Sequence, residues 1–210
     1  MTMRPHLMLS DRRGAVMAEF AVVGPLIIIF VLAVIELSTA LWQWNAAAKA
    51  AQYGARLAAT SASVAEDLGD FAASSNPCTP GVDCPGDPVP YFKVICSGAS
   101  GACTGGGGNL NVAALNWIVR GPDNICGGAG RPGMCDINAR ITPANVSITY
   151  EQTGIGFAGN PSGPTPSITV RLEGLTFATP MLGLVSGALN ITLPAFTTTV
   201  MAEDMRSTAP

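Results

Sequence analysis

The chain has 210 residues, 48% of them hydrophobic and only 12% charged, with a net charge of −3 and a mean hydropathy of +0.36. A soluble domain carries about 25% charged residues, so this balance calls for a long apolar segment, and slight acidity without a basic block after Arg13 argues against nucleic acid as a partner. With 24 Gly and 16 Pro, whatever follows that segment is expected to be rich in turns and short strands.

Residues 1–14 carry three arginines, Arg4, Arg12 and Arg13, and the chain's single histidine, His6. From Ala15 to Ala48 there is no Lys or Arg, and the acidic residues are Glu19 and Glu36. A hydrocarbon core of roughly 30 Å needs about 20 helical residues, and Phe20 to Trp42 supplies 23. The sequence therefore predicts one membrane helix over Ala15–Trp44. The arginines stay cytoplasmic by the positive-inside rule, which places everything after Trp44 across the membrane, with Trp42 and Trp44 at the outer interface. The apolar stretch is too long for the core of a cleaved secretory signal, and no clear A-x-A site follows it.

Within the helix, Glu36 reads either as an interfacial carboxylate or as an intersubunit contact, depending on where the hydrocarbon begins. Pro25 cannot donate a hydrogen bond to the Ala21 carbonyl, so Gly24-Pro25 is expected to kink or locally open the helix. At the start of the segment, Arg12-Arg13-Gly14-Ala15-Val16-Met17-Ala18-Glu19-Phe20 places Glu19 fifth in a chain that would begin at Ala15. A carboxylate near the end of an apolar helix needs a partner, and a freed ammonium on Ala15 would be one. This spacing matches the type IV prepilin pattern, in which a peptidase cuts after Gly and Glu stands at position five. The competing reading is an uncleaved signal anchor.

The string Arg13–Ala21, with Gly24-Pro25-Leu26, Ile35-Glu36-Leu37 and Asn45 through Tyr53-Gly54-Ala55-Arg56 to Ala59, resembles the TadE/TadG-like family of the tight-adherence (Tad, or Flp) pilus system. The closing run Ile191 to Glu203 is similar to the family's last strand, though less diagnostic. TadG-like members are larger, so the TadE-like label is the closer one, with an enlarged extracytoplasmic head. The resemblance implies a minor pilin or pseudopilin, processed between Gly14 and Ala15 by a prepilin peptidase and docked through Glu19 and Phe20. It also implies assembly with a Flp-type major pilin and other TadE/TadG-like minor pilins, first in the bacterial inner membrane and then in a surface fibre for adhesion. The alternative function is an uncleaved single-span protein whose extracytoplasmic head is a binding module or a scaffold for pilus assembly.

Beyond Trp44 the Ala-rich run to Ala59 favours continued helix, with Gly69 and Asn76-Pro77 as its expected limits and a separate short helix over 66–71. From Cys78 onward, Pro and Gly punctuate short strand signals: Tyr91–Cys96, a weaker Leu115–Arg120, the alternating Asn145–Glu151 and Ser167–Glu173, and Asn190–Ala202 interrupted by Pro194. A hairpin-type loop is expected over Gly154–Pro166. The organisation is thus a leader over 1–14, a membrane helix over 15–44, its continuation with a short second helix over 45–76, and a head over 77–210. The fold class is α+β: a long N-terminal helix, then a small antiparallel sheet.

Six cysteines, Cys78, Cys84, Cys96, Cys103, Cys126 and Cys135, all follow the apolar segment. An even count in a loop-rich region beyond a membrane helix reads as a disulfide framework in an oxidising compartment. Connectivity stays open, with pairing of neighbours as the first expectation. No zinc spacing or C-x-x-C is present, and one histidine in the leader removes Ser-His-Asp and Cys-His arrangements. Thr104 with the glycines after it lacks the G-K-[ST] of a phosphate loop. Asp83 with Asp87, or Asp123 with Asp136, could hold calcium but read better as turn residues, and the sequons at Asn145 and Asn190 read as accidental. No enzyme and no cofactor is expected.

Overall fold

The computed structural model describes residues 12–68, 91–152, 165–178 and 190–202. Its first element is a single 49-residue helix, α1 (Arg12–Thr60). The contacts divide the chain into two compact units, one containing α1 as far as Leu41, the other running from Trp42 to Phe177 and resuming at Thr192.

In the first unit the helix is apolar on every side. Val16, Phe20, Ile27, Phe30 and Val34 are all exposed, Phe20 at 72%. An amphipathic helix of a globular protein shows one apolar stripe; a helix hydrophobic all round is either buried or in lipid. This one is not buried, and it is long and apolar enough to cross a membrane. Glu36 breaks the pattern: it is only 3% exposed.

In the second unit the same helix changes character. Ala47, Ala50, Ala51, Ala55 and Ala58 are wholly buried, at the three- and four-residue spacing that defines one helical face. Lys49, Gln52, Arg56 and Thr60 are exposed on the other. The small side chains let other elements approach closely. At Gly54 an added Cβ would stand 2.4 Å from the Met134 Sδ, so glycine is required by Met134 rather than by the backbone.

The helix ends at Thr60, earlier than Gly69 or Asn76. The cause is local: Thr60, Ser61 and Ser63 carry hydroxyls that compete for backbone groups. Thr60 Oγ1 donates to the Arg56 carbonyl at 3.1 Å and Ser63 Oγ to the Ala65 carbonyl at 2.5 Å. The chain then extends, Ala65 bridging to Leu110. Of the short helix expected over 66–71, Glu66 and Asp67 lie in a turn and donate to the carbonyls of Asn109 and Gly107, Leu68 is helical, and 69–71 lie outside the described residues.

The head is built on a five-stranded antiparallel sheet. Its elements in chain order are β1 (Lys93–Ser97), β2 (Ala102–Thr104), α2 (Val112–Arg120), α3 (Met134–Ile137), β3 (Val146–Glu151), β4 (Ser167–Leu172), β5 (Thr176–Ala178), β6 (Asn190–Thr192) and β7 (Phe196–Met201). The strand order of the large sheet is β2-β1-β3-β4-β7. Alternation does its expected work: along β3, Val146, Ile148 and Tyr150 are buried and the residues between them are half-buried. The inward residues Val94, Cys96, Ile148, Val170 and Leu172 share one core with the Ala face of α1. The α+β arrangement expected from the sequence is the arrangement found. Pro194 separates β6 from β7, and the β3–β4 connection expected as a hairpin-type loop falls largely outside the described residues.

One predicted strand is a helix. Leu115–Arg120 belongs to α2, because Asn111 Oδ1 caps the Ala114 N–H at 3.0 Å and Gly121, at φ +81°, closes the other end with its N–H on the Trp117 carbonyl. Ala114, Leu115, Ile118 and Val119 are the buried side. That spacing is helical, and a strand reading of the short apolar run Trp117-Ile118-Val119 leaves out the cap at Asn111, six residues upstream of Trp117.

Candidate functional site on the N-terminal helix

The residues singled out by sequence lie on one continuous helical stretch. Gly14 is exposed, and a Cβ there would meet nothing within 4 Å. The helix begins at Arg12, so the Gly14–Ala15 bond lies within helical backbone. Glu19 stands four residues beyond Ala15, one turn along the same face, and is exposed, as is Phe20. The Phe20 ring lies over Gly24, whose absent Cβ would be 3.7 Å from a ring carbon. Pro25 sits inside the helix, which continues through it. Farther on, Ser38 Oγ and Thr39 Oγ1 return their protons to the carbonyls of Val34 and Glu36, each at 2.8 Å, which satisfies hydroxyls in an apolar setting without an outside partner.

In the head, Cys96 is bonded to Cys103 and Cys126 to Cys135. The first joins register partners on β1 and β2; the second closes the loop between α2 and α3. Both are pairs of sequence neighbours, and the remaining neighbours, Cys78 and Cys84, lie outside the described residues. Asp136 accepts the Gly133 N–H on Oδ2 at 2.6 Å and the Gly127 N–H on Oδ1, while Asp123 Oδ1 accepts the Ile125 N–H at 3.3 Å. These carboxylates hold turns. Asp83 and Asp87 are outside the described residues, and among the described ones no group of His, Cys, Asp and Glu could hold a metal ion.

Asn145 has a structural task that its sequon conceals. Its Oδ1 accepts from Thr142 N–H at 3.0 Å and Thr142 Oγ1 at 2.6 Å, and its Nδ2 donates to the Glu173 carbonyl at 3.0 Å. Two polar groups that sequence reasoning missed also fix the head. The Tyr150 hydroxyl, fully buried, accepts the Val64 N–H at 2.9 Å and so ties the strand at the sheet centre to the segment leaving α1. Burial pushes this phenol well above its ordinary pKa. At the surface, Tyr91 donates to Glu151 Oε1 at 2.7 Å and Lys93 Nζ lies 3.3 Å from Oε2. The Tyr91 hydrogen bond, with Lys93 second, holds the Glu151 carboxyl below its usual range, and the same bond raises the Tyr91 phenol. No one-dimensional pattern announces either contact, since Tyr150 and Val64 are 86 residues apart.

A helix that is apolar all round before Leu41 and small-faced and amphipathic after it, leading to a disulfide-bonded antiparallel sheet, defines a membrane-span candidate bearing an α+β head. The particular family follows from residues 14–56, which match the family model described as TadE-like protein. Over that segment the chain is similar to the TadE-like family, whose members are pilus structural proteins associated with the membrane and with Tad pilus components. The match begins at Gly14 and ends at Arg56, just beyond the Gly54 against which Met134 packs. Neither a curated protein nor a solved structure matches the chain.

Proposed function

We propose that the chain is a minor pilin or pseudopilin of a Tad (Flp) pilus, cut after Gly14 by a prepilin peptidase and then built into the fibre or its priming complex. The observation that carries this reading is the exposed apolar helix with Glu19 one turn beyond Ala15, within the segment that matches the TadE-like model. Cleavage converts the Ala15 amide into an ammonium. Glu19 then has a cationic partner, in its own subunit or in the next one along, where an unpaired carboxylate would be costly at the edge of lipid. Phe20 adds an apolar contact on the same turn. Before assembly the helix lies in the inner membrane with Arg12 and Arg13 on the cytoplasmic side and the disulfide-bonded head outside. Pro25, which leaves the Ala21 carbonyl without its helical donor, is the point at which the helix yields as it passes from bilayer to fibre.

The test is the composition of sheared fibres. Wild-type protein is expected in the fibre fraction together with the major pilin, while Glu19→Ala remains in the membrane and Pro25→Ala enters at reduced yield. Equal incorporation of Glu19→Ala would remove the docking role, and unchanged piliation with Pro25→Ala would remove the yielding role.

A further inference from the structure

The two edges of the five-stranded sheet are not alike. At one edge β2 is three residues long, and Ala102 is bridged to Asn109, so that edge is short and covered. At the other, β7 pairs with β4 through six consecutive residues, Phe196 to Met201, with no bulge in the register. β7 contains no charge and no proline. Lysines, prolines and bulges are the usual means of keeping an edge strand from accepting another strand, and β7 uses none of them. Among the described residues nothing pairs with its outer side.

Hydrogen-bond parity identifies the groups on that side. Residues of an antiparallel strand alternate between facing one neighbour and facing away from it. The Ala202 N–H donates to the Pro166 carbonyl at 3.0 Å, which assigns the even-numbered residues of β7 to β4. On the far side of β4, the Glu173 N–H donates to the Asn145 carbonyl at 2.8 Å, assigning the odd-numbered residues of β4 to β3 and the even-numbered ones to β7. The two assignments agree. Thr197, Thr199 and Met201 therefore direct their N–H and C=O groups out of the sheet, and all three are exposed.

We propose that β7 is a pairing edge for β7 of a second copy of this chain, antiparallel, with the two-fold axis at Thr199. In that register Thr199 faces its own counterpart and Thr197 faces Met201, so the outward groups of both strands are satisfied. On the opposite face Thr198 meets Val200, a β-branched pair of the kind that stabilises sheets. Because the strand is uncharged, self-pairing sets no like charges against each other. The two sheets become one and the open edge disappears. One pair of six-residue strands buries far less than the roughly 1,200–2,000 Å² of a stable interface. Pairing is therefore a property of copies concentrated by a shared membrane or fibre, not of dilute protein.

The test uses full-length protein in membranes. Opposed residues of a hydrogen-bonded pair have Cα atoms about 5.5 Å apart, within the range a disulfide spans. Thr199→Cys is expected to give a cross-linked homodimer under mild oxidation, and Thr149→Cys, on the same face in the middle of the sheet, none. The double variant Thr197→Cys/Met201→Cys should cross-link as well. Adding Thr199→Pro should abolish that product while leaving resistance to proteolysis unchanged, since the N–H it removes points away from β4. The proposal is overturned by a Thr199→Cys yield no higher than that of the control, by adducts with a different protein in place of the homodimer, or by cross-linking that survives Thr199→Pro in a protease-resistant head.

Discussion

Gly54 shows how one residue links the family-matched helix to the chain-specific head. A Cβ there would overlap the fully buried Met134 side chain along its length, from Cγ to Cε, and a packed core absorbs such an insertion at about 1–3 kcal/mol. Gly54→Ala should destabilise the full chain by about that free energy, read as a lower thermal midpoint, with part of the loss restored when Met134→Ala is added; an unchanged midpoint would mean that Met134 moves aside freely. Charge at the residue scale is carried by Tyr91, Lys93 and Glu151. Glu151 has a depressed pKa in the folded state, so its contribution is complete above the ordinary carboxylate pKa and is lost as pH falls through the lower folded value. Removing the leading cause, in Tyr91→Phe, should raise the Glu151 midpoint in a carboxyl-carbon NMR titration. A midpoint that stayed in place would assign the depression to Lys93 instead.

At the scale of elements, what was legible in the sequence was what is periodic or continuous. The apolar run, the alternation in Val146–Glu151 and Ser167–Leu172, and the proline between β6 and β7 all appear where sequence places them. What could not be read depends on partners distant in sequence or on caps. The end of α1 at Thr60 is set by hydroxyls and by the pairing of 65–67 with 107–110. Conversely, α2 looked like a strand because Trp117, Ile118 and Val119 favour strands locally, yet Asn111 and Gly121 punctuate it as a helix. The cap makes a prediction: Asn111→Ala leaves the Ala114 N–H without its acceptor and should cost about 1 kcal/mol, read from chemical denaturation. No loss would mean that the buried face alone holds α2. The string from Gly14-Ala15 to Glu19-Phe20 can be read in the sequence because it is local, and the processing and docking roles proposed for it rest on that string. The pairing edge at β7 was not, since it depends on which strand lies beside it.

For the whole molecule, the contrast within α1 organises everything else. A single helix supplies an all-apolar surface, where each side chain moved from water to hydrocarbon contributes on the order of 1.5–3 kcal/mol, and then an Ala-faced rod on which the sheet packs. Disulfides 96–103 and 126–135 constrain the turn-rich part of the head, where Gly and Pro leave few side chains to bury. The central claim is that the helix becomes a pilin helix when the bond after Gly14 is cut. Intact mass and N-terminal sequencing of the protein recovered from membranes test it most directly, with Gly14→Ser as the companion because a side chain at Gly14 meets no neighbour and should leave folding untouched. The account predicts a mature chain beginning at Ala15 in the wild type and an uncut chain in Gly14→Ser. A wild-type chain that still begins at Met1 or Thr2 would contradict it and leave an uncleaved membrane anchor in its place.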